Sequence, residues 1–526
     1  MTNSRSVTRA SEFERLATVL SGDILRLSAQ RHPRKTALIG PAHEMSFGEL
    51  DWASNQFAHA LLEFGIEKGE RVAVMCPNIP EYGVFHFGAA RTGCVQVHLS
   101  VMCGSDEITQ ILNRTGARLI VVDAEFLPAI ETVRGDLAGL ERVIVIGGAD
   151  EDSLENFIAG KSETPPDIEI KETDPLGMTF TGGTTGLPKG AVVSHRARYV
   201  SAYSVAFEHE LTGEDVCAAL TPLYHAVGLF IWFQAAMLAG CTTVMQRRWD
   251  TAAFVDACAQ HGITAAMTVP VQLRSILSDQ FFDAEKLATF RKIGCGGANV
   301  SAEIIAEGRK KLPGVKLIDH YGQSETGLLT VLKPWHPADK NESIGLPAIG
   351  VDLRVLDSGG KEVKPGEIGE VVIKGDFLFD GYFDNPEETA TYFKHGDGWG
   401  WTGDLATIDE DGFVTLAGRS KDMIISGGIN IYPREVEIVL EDHDAVAECT
   451  VFGVPDDKWG EALIALVVAR DNAMDDLPDL LSAYCSGILA RFKCPREILM
   501  VAEIPKTPAG KIQKPKLRDD YLDNLP

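Results

Sequence analysis

Positive charge is scarce in this chain. Its 526 residues carry 49 lysines and arginines against 75 aspartates and glutamates, a formal net charge of −26. A surface of that sign repels nucleic acid and anionic membrane, so neither is expected as a partner. Long apolar runs are lacking too. "HAVGLFIWFQAAMLAGC" falls short of the ~20 residues that cross a bilayer, so no membrane span is expected. The opening "MTNSRSVTRASEFERL" has no apolar signal core. Cysteine pairs are absent. Cys76, Cys94, Cys103, Cys217, Cys241, Cys258, Cys295, Cys449, Cys485 and Cys494 stand singly, mostly in apolar runs. They read as buried, reduced thiols, and the expected location is cytoplasmic. The common nucleotide loop G-x-x-x-x-G-K-[ST] is missing as well.

The composition present is that of a globular protein, with 45% hydrophobic and 24% charged residues. At roughly 100–200 residues per domain, the length suggests about three folding units. Up to about residue 420, helical patterns alternate with short β-branched runs. These include "RVAVMCP" (71–77), "RLIVVD" (118–123), "RVIVIG" (142–147), "TTVMQ" (242–246), "AAMTVP" (265–270), "KIGCGG" (292–297) and "KLIDHYG" (316–322). Such alternation predicts parallel sheets with crossover helices. Ser46, with Glu49 three residues on, reads as a capping box before an amphipathic helix. After Gly345, "LRVLD", "GEIGEVVIKG" and "DGFVTLAGR" read as a small antiparallel barrel or sheet. "GRSKDMIISGGIN" is polar and glycine-rich, as a hinge would be. Beyond it, "PREVEIVLEDH", "ECTVFGVP" and "ALIALVVAR" suffice for a separate α+β domain of about 100 residues.

Four stretches could carry chemistry. "TGGTTGLPKG" (181–190) follows a plausible strand. Its glycines let backbone N–H groups approach phosphate oxygens, its threonines add hydroxyls, and Lys189 adds a point charge. In "DHYGQSETG" (319–327), Tyr321 offers a flat face for a base, Ser324 a hydroxyl, and Glu325 a hard oxygen ligand for Mg²⁺. In "GWGWTGDLATIDEDGFVTLAGRSKD" (397–422), Asp404 reads as a turn carboxylate able to accept both ribose hydroxyls. Arg419 lies 15 residues later. Lys511 follows Pro508-Ala509-Gly510 in a basic tail. Taken singly, the last two stretches read better as a turn cap with a surface ion pair and as solvated lysines.

Together, in this order and spacing, the four stretches resemble the adenylate-forming superfamily. It includes acyl-CoA synthetases, firefly luciferase and the adenylation domains of nonribosomal peptide synthetases. The resemblance covers roughly residues 20–520. It implies an α/β fold: a large N-terminal domain of two parallel-type α/β subdomains plus a small β-barrel-like subdomain (1–418), a hinge at 419–422 about Lys421, and a small mobile α+β C-terminal domain (423–526). It also implies that ATP is bound with Mg²⁺ while a carboxylic acid attacks the α-phosphate, giving an acyl-adenylate and pyrophosphate.

The residue roles that follow are implied in the same way. Thr181, Gly182, Gly183, Thr184, Thr185, Gly186 and Lys189 form the phosphate loop. His320, Tyr321, Gly322, Gln323 and Ser324 line the nucleotide, with Tyr321 packing on the base and Ser324 reaching the α-phosphate. Glu325 holds Mg²⁺ with Thr181. Asp404 binds ribose, with Arg419 as its partner, and Lys511 is the catalytic lysine. His225 lies by the acyl and thiol channel. Phe230, Trp232, Val271, Gly296 and Gly297 are candidates to line an acyl pocket, the glycines leaving room for length. Gly427 and Gly428 let the coenzyme A arm pass.

Departures from the family pattern leave the acid open. Lys514 stands where many members have arginine, Trp401 where a histidine or aromatic is usual, and "VHLSVMCGSDE" lacks a common asparagine-proline. "GRSKDMIISGGINIYPREVE" is similar to free-standing acid–CoA ligases, no aspartate opens an amino-group pocket, and no carrier segment follows residue 526. The expected activity is therefore an AMP-forming acid–CoA ligase acting on a hydrophobic fatty or aromatic acid. A stand-alone enzyme that loads a carrier protein's phosphopantetheine is the alternative. A luciferase-type oxygenase and a non-catalytic nucleotide-binding relative fit less well. The oligomeric state stays open, a homodimer included.

Overall fold

The computed structural model describes residues 20–181, 189–298, 300–427, 429–470, 476–506 and 512–523. They divide into two compact units. The first takes in the chain up to Trp335 with Pro347–Val351 and Gly375–Thr389. The second takes in His336–Leu346, Asp352–Lys374 and the chain from Ala390 onward.

Two sheets organise the first unit. A seven-stranded sheet runs, in spatial order, through Gly381–Tyr382, Lys189–Ser194, Pro175–Thr181, Val95–His98, Arg71–Met75, Leu119–Asp123 and Arg142–Ile146. Its last five strands are parallel. The other sheet runs through Gly327–Leu332, Lys316–Gln323, Lys292–Gly296, Ala265–Thr268, Val216–Ala219, Thr242–Met245, Thr36–Ile39 and Glu44–Ser46. The parallel strands are apolar on both faces because helices cover both. Val72, Val74, Leu119, Ile120, Val121 and Val122 are all fully buried. The seven β-branched runs read from the sequence are all strands here; six are trimmed by a residue or two, and the run 316–322 extends to Gln323.

The helix Phe47–Phe64 begins as the sequence predicts. Ser46 Oγ accepts from the Glu49 N–H, while a Glu49 carboxylate oxygen accepts from the Ser46 N–H at 2.7 Å. It ends on Gly65 with φ 91°, a left-handed cap that costs glycine little.

The second unit contains a four-stranded antiparallel sheet, ordered Asp352–Leu356, Gly369–Lys374, Gly400–Ile408 and Val414–Arg419. It also contains a five-stranded sheet centred on the long hairpin Val446–Asp456 with Gly460–Ala469. The helices Pro433–Glu441 and Leu477–Ile488 bury Val436, Leu440, Leu477 and Leu481 in one cluster with strand residues Val451, Leu463 and Ala465. Ser420–Asp422 forms a single 3₁₀ turn containing Lys421.

Among the described residues no helix is long and apolar enough to cross a membrane. All ten cysteines are free thiols. Eight are buried, and Cys103 and Cys494 are half-buried.

Candidate active site

The phosphate-loop stretch is the connection of a hairpin. Pro175–Thr181 pairs antiparallel with Lys189–Ser194, and Thr181 stands opposite Lys189 where the loop leaves the sheet. Gly182, Gly183, Thr184, Thr185 and Gly186 lie outside the described residues, as do Gly428 and Lys511.

Lys189 fixes the end of that hairpin. Its Nζ lies 2.8 Å from a Glu388 carboxylate oxygen and 5.7 Å from the centre of the Tyr382 ring. Tyr382 belongs to the short strand Gly381–Tyr382, which pairs with the Lys189 strand at Ala191 and Val192. Its hydroxyl donates to Glu325 Oε1 at 2.6 Å, and the Phe379 N–H donates to the Glu325 carbonyl at 2.8 Å. Lys189 and Glu325, 136 positions apart in the chain, are thus joined through one tyrosine. Sequence reasoning missed Tyr382 and Glu388. The signal available was the aromatic, acidic run "GYFDNPEE", which looks like an ordinary turn.

Glu325 itself sits in the turn of a second hairpin, between Lys316–Gln323 and Gly327–Leu332. Glycine is required there. A Cβ on Gly322 would lie 1.9 Å from the Gly327 carbonyl oxygen, and Gly327 has φ 81°. Thr326 Oγ1 accepts from the Gln323 N–H at 3.1 Å, closing the turn from inside. Tyr321 is buried at 9% exposure, while Ser324 and Glu325 are half-buried on the turn. A single oriented carboxylate fits Mg²⁺, which keeps several waters and takes one or two carboxylates plus substrate phosphates.

His320 faces the core. It is 6% exposed, and its Nε2 meets His209 Nε2, so one imidazole donates and the other accepts. Burial pushes His320 down to about 3 and His209 well below the usual histidine range. Both are neutral. His209 also packs edge-on against Trp232, with ring centres 5.2 Å apart.

The acyl-pocket candidates fall in three different settings. Phe230 and Trp232 lie on Val227–Phe233, a π-helical segment in which the Gln234 N–H reaches back to the Leu229 carbonyl. Such wide turns occur frequently at functional sites. Both side chains are fully buried, and the Trp232 indole N–H donates to the Ala218 carbonyl at 2.9 Å. His225 is half-buried just before the segment, its ring 4.7 Å from that of Tyr224. Gly296 does not provide the room expected of it, because a Cβ there would lie 2.7 Å from the His320 carbonyl oxygen. Its missing side chain lets two strands pack. Gly297 is the more open of the pair: φ is 80°, and a Cβ would meet only Val269 and Val227, at 3.6 and 3.8 Å. Val271 is 63% exposed at the start of the helix Pro270–Leu277 and lines nothing enclosed.

In the second unit, Asp404 is placed by a strand pair rather than by a turn. It sits in Gly400–Ile408 directly opposite Arg419, with Arg419 Nε 3.0 Å from its carboxylate. Asp404 is 5% exposed, and its N–H donates to Thr402 Oγ1 at 3.1 Å. Pairing explains why the two residues meet across 15 positions: they are opposite ends of one hairpin. Gly427 has φ 60°, and its N–H donates to the Trp459 carbonyl at 2.7 Å. Trp401 is buried, stacked on His395 at 4.6 Å beneath the Lys394 ammonium.

Residues 25–383 match the model of the AMP-binding enzyme family, and residues 435–511 match that of the AMP-binding enzyme C-terminal domain. The second match ends on Lys511. A feruloyl-CoA synthase of Amycolatopsis sp is 33% identical, the alignment covering 93% of this chain and 96% of the relative. A fatty acid–[acyl-carrier-protein] ligase, ScoC of Streptomyces coeruleorubidus, is 33% identical over 94% of this chain and 95% of its own. Among solved structures, ATP-bound MatB from Rhodopseudomonas palustris superposes with a TM-score of 0.88 at 28% identity. That match covers 95% of this chain and 99% of the other.

Proposed function

The chain belongs to the AMP-binding enzyme family, and from that premise we propose how it works as an ATP-dependent acyl-CoA synthetase that joins a carboxylic acid to coenzyme A. The observation that carries the reading is the link from Lys189 through Tyr382 to Glu325 where the phosphate-loop hairpin closes. It brings a cation and a metal-competent carboxylate to one end of one loop.

A carboxylate that attacks the α-phosphate of a polyanion meets like-charge repulsion. Lys189 offsets charge on the β- and γ-phosphates, and Glu325 with Thr181 would hold Mg²⁺. When bound, the ion neutralises phosphate charge as a Lewis acid. Tyr382 holds one Glu325 oxygen and so orients the carboxylate. Tyr321 packs on the base and Ser324 reaches the α-phosphate. The backbone at His320, Gly322 and Gln323 shapes the same wall. Asp404, oriented by Arg419, accepts the ribose hydroxyls. Binding acid and nucleotide side by side supplies the entropic part of the gain.

Lys511 supplies positive charge for adenylate formation. The mobile-domain scheme, with 1–418 and 423–526 turning about Lys421, lets that lysine leave before the thiol attacks. Gly427 and Gly428 leave a passage for the coenzyme A arm. The acyl part of the acid is apolar, received near His225, Phe230 and Gly297. Free, unpaired cysteines favour a cytoplasmic location.

A second reading has one specific observation in its favour. The relative named as a fatty acid–[acyl-carrier-protein] ligase is 33% identical, the same figure as for the feruloyl-CoA synthase. Loading a carrier-protein thiol changes only the acceptor.

Pyrophosphate release is the deciding measurement. It would be followed with Mg²⁺-ATP over fatty, aromatic and amino acids, each with and without coenzyme A, the products being identified by mass spectrometry. Release with formation of an acyl-CoA is expected. Release that yields only adenylate, until a carrier protein is added, would replace coenzyme A by the carrier. ATP binding without release for any acid would sink the catalytic reading.

A further inference from the structure

The helix His195–Glu208 carries an arginine where its buried face should be apolar. Arg198 is 0% exposed, among the largest fully buried side chains of the protein. Its guanidinium lies 5.6 Å over the Phe230 ring, and Nη2 donates to the Phe377 carbonyl at 2.7 Å. Among the described residues that is its one hydrogen-bond partner, and Nε and Nη1 are buried with none. Asp380 and Glu325 act on Arg198 through space, and neither forms an ion pair with it. Burial holds Arg198 down to about 10 and lifts Asp380 to about 6, and their attraction through space offsets only part of either shift.

One turn along the same helix face, Ser201 Oγ is also buried and unpartnered. The two orphans meet at one spot. A Cβ on Gly327 would lie 2.5 Å from Ser201 Oγ and 3.3 Å from Arg198 Nη1. The guanidinium and the hydroxyl thus converge on the backbone of Gly327, packed too closely for any Cβ. Gly327 closes the turn that bears Glu325, and Phe230 lies on the π-helical segment beside it.

A guanidinium has donors only, and a buried one left unmatched is strongly unfavourable. Its complement is an oxygen acceptor. We propose that Arg198, with Ser201, is the specificity-determining group of the acyl pocket, and that the acid activated carries an oxygen acceptor, an oxo group or a second carboxylate, on an otherwise apolar acyl part. The proposal rests on the ligase reading and narrows its substrate class. Phe230 supplies the apolar wall, and the two free guanidinium nitrogens supply the directional contact.

The test uses the full-length protein and three acid series matched in chain length: unsubstituted monocarboxylates, oxo acids and α,ω-dicarboxylates. Thioester formation with Mg²⁺-ATP and coenzyme A gives kcat/KM for each. The wild type should favour one oxygenated series over the unsubstituted one by about tenfold or more at its best length, because an unmatched buried donor penalises the plain acid. Whichever series leads identifies the oxygen. In Arg198→Met the ratio should collapse toward one, and Arg198→Gln and Ser201→Ala should lower it part of the way. Equal or lower kcat/KM for oxygenated acids in the wild type would overturn the proposal. A preference that survives Arg198→Met would do the same. If Arg198→Met does not fold, Ser201→Ala decides, and an unchanged ratio there counts against it. Thioester from unsubstituted acids alone removes this proposal and leaves the ligase standing. No thioester from any acid removes both.

Discussion

Lys189 already has a carboxylate partner before any phosphate arrives. Its contact with Glu388 is partly exposed, with the lysine side chain 16% and the glutamate 39% accessible, so the pair contributes about 1 kcal/mol at most. ATP phosphates bound to Lys189 compete with that carboxylate. Glu388→Gln should therefore lower the KM for ATP by up to about fivefold with kcat little changed. A rise in KM would mean that Glu388 orients the lysine for phosphate instead of opposing it. At this scale the sequence was legible where a residue and its immediate neighbours set its place, as with Ser46 and Glu49 in their capping box. Tyr382, Glu388 and Arg198 were not legible. Their meaning comes from what stands opposite them, and nothing in "GYFDNPEE" or "HRARYV" announces a partner more than 100 positions away.

Hairpins position the best-defined candidate residues of each unit. In the first, one pairs Thr181 with Lys189 and another holds Glu325 between Gly322 and Gly327; in the second, one sets Arg419 against Asp404. The Glu325 hairpin is the tightest, since a Cβ on Gly322 would penetrate the Gly327 carbonyl. Gly322→Ala must push the turn apart. It should cost about 1–3 kcal/mol in urea unfolding and reduce pyrophosphate release by more than that loss of stability accounts for. Normal stability together with normal activity would show that the turn can shift freely. Parallel strands such as Leu119–Asp123 were legible because burial on both faces demands a continuous β-branched run. The π-helical segment was not. "VGLFIWF" is apolar throughout, and periodicity cannot tell one helical winding from another when all positions but Val227 are buried.

Across the first unit, five histidines are buried and neutral. Burial pushes His86 and His195 down to about 4 and His320 to about 3, and holds His98 and His209 well below the ordinary value. In the unfolded chain each would titrate near 6.5. Below about pH 6.5 the unfolded chain therefore takes up protons that the folded chain refuses. The stability these groups contribute is present above that pH and is lost as pH falls toward the folded values. Asp319, Asp380 and Glu81 work in the opposite sense, since burial raises Asp319 to about 7, Asp380 to about 6 and Glu81 above its ordinary value, and their folded forms bind protons earlier. Five groups against three give a net loss. The melting temperature should drop between about pH 7 and pH 5, a window in which ordinary surface carboxylates stay ionised. A flat or rising profile would contradict the burial of these imidazoles as neutral groups.

By itself the sequence determined the family, the fold class and the order of its elements. Each of these rests on short-range physics: β-branched runs, a capping box at Ser46 and Glu49, and a glycine-threonine loop with its lysine. Tertiary structure alone decided three other things. It took the space at Gly296 for strand packing, turned His320 inward against His209, and left Arg198 buried with two unmatched donors. Packing has no signature along a chain. A glycine, a histidine or an arginine acquires its role from the atom across from it, and that atom is fixed only when strands and helices distant in sequence close into one core.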